Sequence, residues 1–132
     1  MDTTEDTLAL YQLQARYGHV MDDRDWEGLN AVFTDDAVVD FQPFGLPRME
    51  GLEAIVRDFK WIRHPYGHHV TNILVDVDGD TARMRSKILA VLDDGTSITG
   101  QYLDEARRTS DGWRLTYRLG KPFPRRPKKE SD

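Results

Sequence analysis

Three short polar turns divide the second half of this chain into runs of similar length. They are Asp78-Gly79-Asp80, Asp93-Asp94-Gly95 and Ser110-Asp111-Gly112. Asp beside Gly supplies the backbone freedom that tight hairpins need. The runs they bound, 68–77, 81–92, 97–108 and 112–119, are rich in β-branched, apolar and alternating residues. Four strands joined by hairpins make an antiparallel meander. One face of such a sheet must be covered, and the covering has to come from the first half of the chain.

That half reads as helical. Residues 4–22 carry Thr3 or Thr4 as a cap, with Glu5 and Asp6 at the positive end of the helix dipole. One stripe runs Leu8, Tyr11, Ala15, Gly18, Asp22; a second, fully apolar one runs Leu10, Leu13, Tyr17, Val20, Met21. The small residues Ala15 and Gly18 leave room beside Asp22. Asp25 is a good cap for a short second helix over 26–33, followed by a turn at 34–36 and a strand at 37–41. Residues 42–50 hold two prolines and a glycine and read as a loop. A third helix over 51–61 places Leu52, Ile55, Val56 and Phe59 on its core side and breaks at His64-Pro65-Tyr66-Gly67. The expectation is an α+β domain: a curved antiparallel sheet packed around three helices, spanning residues 1–120.

Composition narrows the function. At 132 residues the chain is one domain, with no cysteine for disulfides or thiolate chemistry. The net charge of −5 argues against general nucleic-acid binding. No apolar run reaches the length of a membrane span, and the acidic N-terminus is unlike a signal peptide, so the expected location is cytoplasmic. Charge is uneven: residues 1–60 hold 13 acids and 5 bases, and much of the balancing positive charge lies in 121–132. That basic, proline-containing tail is expected to lack fixed structure.

Candidate chemistry centres on Asp22. It sits in the last turn of a helix, where the negative end of the dipole disfavours a carboxylate unless a donor or cation answers it. Strand alternation over 68–77 puts the more apolar set, His69, Thr71, Ile73, Val75 and Val77, on the inner face. His69 is then the inward histidine and His68 the outer one; a bulge near the strand start would exchange them. An Asp–His pair in a cavity acts as an acid–base unit, the carboxylate fixing the imidazole tautomer. Tyr17 lies about 140° from Asp22 around the helix, so it serves either core packing or the side of the same cavity. The clusters Asp22/Asp23/Asp25 and His64/His68/His69 do not make a metal site: Asp25 is accounted for as a cap, His64 as a loop residue before proline, and His68 and His69 point apart. No phosphate-binding glycine loop and no nucleophile elbow are present. Aromatic residues spread along the chain, Trp26, Phe41, Phe59 and Tyr102 among them, favour an apolar or cyclic ligand.

The segments Arg16-Tyr17, Met21-Asp22, Asp25-Trp26, Phe33-Thr34-Asp35-Asp36-Ala37, His69-Val70-Thr71-Asn72 and Asp111-Gly112-Trp113-Arg114-Leu115 resemble SnoaL-like proteins, in the same order. The resemblance covers about residues 5–119. It implies the nuclear transport factor 2-like cone, a curved sheet around helices with an internal pocket. That family includes scytalone dehydratase, bile acid dehydratase, a dehydrochlorinase and polyketide cyclases. In its dehydratase-like members an Asp ending the first helix pairs with a His on a strand; Asp22 matches the first, and His69 or His68 the second. Tyr17 matches a tyrosine of the bile acid dehydratase, and Arg118 an arginine near the end of the last strand. The resemblance implies a cofactor-free lyase or isomerase with Asp22, His69 and Tyr17 as catalytic residues. His68, Trp26, Phe41, Phe59, Tyr102 and Arg118 would contact a small hydrophobic cyclic substrate, steroid-, polyketide- or terpenoid-like. It also implies a homo-dimer or trimer. Where scytalone dehydratase has a second histidine, this chain has Ala90-Val91-Leu92, which argues against the same substrate. Since the fold also serves non-catalytic proteins, a binding or scaffolding subunit is the alternative.

Overall fold

The hairpin turns form where Asp and Gly meet. Gly79, Gly95 and Gly112 all have positive φ, which a residue with a Cβ rarely adopts. The computed structural model describes residues 2–124. Helix α1 spans Thr4–Asp22, β1 Phe33–Asp40, β2 Arg48–Glu50, α2 Leu52–Trp61, β3 Gly67–Asp78, β4 Thr81–Val91, β5 Ser97–Thr109 and β6 Gly112–Pro122. The six strands form one curved, unclosed sheet in the order β2-β1-β6-β5-β4-β3. The meander β3–β6 is antiparallel throughout, whereas β1 joins β6 in parallel.

The α+β architecture is as expected, with four local differences. The helix expected over 26–33 is a single 3-10 turn, Glu27–Ala31, leaving two α-helices instead of three. Asp25 still accepts the Gly28 N–H, at 3.1 Å. The turn expected at 34–36 is part of β1, and the loop 42–50 contains a 3-10 turn and the short strand β2, paired with β1 from Val38 to Asp40. At the other end, β6 continues two residues past the expected domain boundary, to Pro122. Most of the basic tail, 125–132, lies outside the described residues.

Helix α1 lies on the inner face. Its second stripe, Leu10, Leu13, Tyr17, Val20 and Met21, is buried as expected. The first stripe is buried only at Gly18: Leu8, Tyr11 and Ala15 are exposed and Asp22 is half-buried, while Gln14, which neither stripe contains, is fully buried. Gly18 is where helix and sheet meet most closely. A Cβ there would stand 3.3 Å from the His68 carbonyl oxygen, so the room left by this glycine is taken up by β3.

Candidate acid–base site

Strand β3 carries a one-residue irregularity between Thr71 and Leu74, with Asn72 at φ 53°. Asparagine tolerates the left-handed region better than most residues. The bulge shifts the side-chain phase of the strand. Beyond it Ile73, Val75 and Val77 turn inward, as the alternation predicts. Before it the inward residues are His68 and Val70, and His69 and Thr71 are exposed. His68, not His69, is therefore the histidine facing the helices. This corrects the expectation, and its physical cause is the bulge.

His68 meets Asp22. The ring Nδ1 stands 2.6 Å from Asp22 Oδ1, and the His68 backbone N–H lies 3.0 Å from each carboxylate oxygen. A carboxylate at a helix C-terminus thus finds donors that offset the dipole. Because an ionised carboxylate can only accept, Nδ1 carries a proton, and Nε2 is left as the nitrogen free to meet a ligand. Burial draws the His68 pKa below the usual histidine value; the Asp22 hydrogen bond and charge act the other way, while Arg24 and Arg118 add to the lowering. At neutral pH the ring is an uncharged base with a fixed tautomer. Arg24 closes the end of α1, donating to the Met21 and Pro65 carbonyls at 2.7 and 2.9 Å.

Tyr17 stands beside this pair, its ring edge-on to His68 with centroids 6.1 Å apart. It is also edge-on to Tyr102 at 5.8 Å. Burial raises the pKa of both phenols, so both remain protonated donors. Beneath them lies Arg118, fully buried, its guanidinium 4.3 Å from the Tyr17 ring centre and 3.9 Å from that of Tyr102. Arg118 pairs with buried Asp104 through two hydrogen bonds of 2.8 and 2.9 Å and also donates to Gln14. Gln14 in turn donates to Asp104 at 2.8 Å. Arg118 reaches the interior through a second irregularity, where β6 slips against β5 between Glu105 and Ala106. Trp113 and Leu115 face inward before it, Arg118 and Gly120 after it.

The cavity these groups border has a volume of about 80 Å³. Tyr17, His68 and Tyr102 form its polar wall; Phe41, Phe44 and Ile88 belong to the apolar remainder. Three residues expected to touch a ligand stand one layer back. Phe59 stacks on Phe41, Trp26 packs against His64, and Arg118 supports the tyrosines. His64, which reads as a loop residue in the sequence, lines the cavity. At the rim Arg63 reaches Asp93 of the β4–β5 hairpin, 2.7 and 2.9 Å from its two oxygens. A larger depression of about 520 Å³ lies on the outer face of the sheet, around Leu74, Arg85 and Tyr117. Its lining contains neither Asp22 nor a histidine, whereas Asp22 itself lines a separate depression of about 210 Å³ with Gly18, His68 and His69. Among the described residues no three His, Asp or Glu side chains converge closely enough to hold a metal ion.

Residues 2–119 match the SnoaL-like domain model. The chain belongs to the SnoaL-like family. An uncharacterized protein of Mycobacterium tuberculosis is 32% identical to this chain over 126 residues, covering 86% of it and 83% of the relative. A crystal structure from Novosphingobium aromaticivorans, provisionally named an aromatic ring hydroxylase, is 33% identical. It superposes with a TM-score of 0.81 over 95% of this chain and 94% of that one. A second structure from the same organism bears the provisional name of scytalone dehydratase, at 24% identity and a TM-score of 0.76, covering 90% of this chain and 85% of that one. At that identity the likeness speaks for the fold alone. Among the described residues of this SnoaL-like protein, no helix is long and apolar enough to cross a membrane.

Proposed function

We propose that this SnoaL-like protein is a cofactor-independent lyase or isomerase acting on a small hydrophobic cyclic molecule. The observation that carries the reading is the 2.6 Å contact between His68 Nδ1 and Asp22 at the wall of a largely apolar cavity. His68 Nε2 is the general base. It takes a proton from a carbon next to a carbonyl or to a carbon bearing a leaving group. The electron pair left behind forms the new double bond. In elimination it expels that group, which takes the proton from the imidazolium. In isomerisation it shifts an existing double bond, whose far carbon takes the proton back from the imidazolium. The resulting imidazolium is stabilised by the neighbouring Asp22 carboxylate. Tyr17 and Tyr102 supply protonated hydroxyls to the oxygen where negative charge collects.

A second reading is a ligand-binding subunit without turnover. What favours it is the size of the cavity, well below the roughly 300–1,000 Å³ usual for drug-sized ligands. A substrate-depletion screen over small cyclic hydroxy-ketones separates the two. Asp22→Asn and His68→Ala should each lower kcat by roughly 10²–10⁴, whereas His69→Ala leaves it near the parent value. Turnover surviving loss of His68, or lost with His69, rejects the catalytic pair. Ligand binding with no turnover in any variant, the parent included, favours the subunit.

A further inference from the structure

The reading above uses one histidine of the cavity, yet the cavity holds two. His64 lines it beside His68, with ring centroids 6.2 Å apart. Its ring is held on three sides. Trp26 lies against it at 5.4 Å, Phe59 stands edge-on at 5.3 Å, and His64 Nε2 is 2.8 Å from the Phe59 carbonyl oxygen. A carbonyl can only accept, so Nε2 carries the hydrogen. The remaining ring nitrogen, Nδ1, has a lone pair and no hydrogen-bond partner among the described residues. Burial, with help from His68 and Arg24, lowers the His64 pKa to about 4, so the ring stays neutral and keeps this tautomer at physiological pH.

We propose that His64 is a ligand-selecting residue of this cavity: its Nδ1 accepts a hydrogen bond from a hydroxyl on the ligand. The site then takes cyclic alcohols or phenols in preference to ethers or ketones of the same frame. The selection follows from what the walls offer. Tyr17 and Tyr102 can donate, so an oxygen acceptor on the ligand is answered from their side. A hydroxyl hydrogen elsewhere on the ligand meets mostly apolar side chains such as Phe41, Phe44, Ile88 and Ala90. His64 belongs to that wall, and its Nδ1 is a second acceptor, besides His68 Nε2, that the acid–base pair does not use. A donor left without an acceptor in a dry cavity is costly, which turns one lone pair into discrimination. This identification of the substrate class rests on the acid–base reading for its catalytic meaning. The binding preference stands or falls independently of turnover.

Phenol, anisole and toluene test it, being a hydroxyl donor, an acceptor-only ether and a hydrocarbon on one ring. Titration of the full chain by NMR should give phenol roughly ten-fold tighter binding than anisole, the size of one neutral hydrogen bond. Phenol, but not anisole, should shift the ¹⁵N resonance of His64 Nδ1 while leaving Nε2 protonated. His64→Phe keeps an aromatic ring and leaves His68 Nε2 as the other acceptor, so it should cut the preference to the share His68 supplies. His64→Gln can both donate to Phe59 and accept from the ligand, and should restore part of it. Asp22→Asn should keep the preference while losing turnover, which separates failure of this proposal from failure of the catalytic one. Equal binding of phenol and anisole, an unmoved Nδ1, a preference undiminished in His64→Phe, or no phenol binding at all overturns it.

Discussion

At the scale of single residues, this site consists of polar groups kept neutral or paired by their surroundings. His64 and His68 both have lowered pKa values because burial disfavours the imidazolium. The consequence for rate has a definite sign. If neutral His68 is the base, kcat/KM rises with pH through a value below 6.5 and is flat from there through neutrality. Asp22→Asn, by removing the group that raises the His68 pKa, moves that rise to lower pH. A pH–rate profile of parent and variant checks this. The consequence for stability has the same direction. A histidine with a lower pKa folded than unfolded contributes fully above the unfolded value near 6.5. It loses that contribution as pH falls through the window down to its folded value, about 4 for His64. Urea midpoints measured between pH 7 and 4.5 should therefore fall, and fall less steeply in His64→Gln. Burial of Tyr17 was legible from helix periodicity; Asp22 was marked by its place in the last turn of α1, since most of its own stripe is exposed. His64 was not, because nothing in His64-Pro65-Tyr66-Gly67 indicates that the loop folds back over the Phe59 carbonyl.

At the scale of elements, two bulges decide which polar groups reach the interior. The hairpin turns, the limits of β3, β4 and β5 and the buried stripe of α1 follow from local patterns and were readable. Strand phase was not, because a period of two carries no memory across an extra residue. The bulge at Asn72 brings in His68 in place of His69, and the slip near Thr116 brings in Arg118 in place of Tyr117. The one available clue was Asn72 itself, a residue suited to positive φ inside an otherwise β-branched run. Its substitutions should therefore separate backbone from side chain. Asn72→Gly should fold with stability near the parent. Asn72→Val, forced into the left-handed region, should lose about 1–2 kcal/mol. Chemical denaturation measures both, and the ¹⁵N shifts of His68 and His69 report whether the phase of the strand start has changed.

At the scale of the whole molecule, the two ends of the cavity are built differently. Behind its tyrosine wall stands the Arg118–Asp104 pair with Gln14, buried away from water. Arg118→Met alone should cost about 3–5 kcal/mol, because Asp104 is left charged and alone. Asp104→Leu together with Arg118→Met should recover much of it, and a double-mutant cycle by urea denaturation gives the coupling directly. Its rim is joined by Arg63 and Asp93, both exposed, in a contact worth at most about 1 kcal/mol. Stability is therefore graded along the axis of the cone. Since only the rim contact is bathed in solvent, dissolved salt weakens the doorway and leaves the chemistry beneath it untouched.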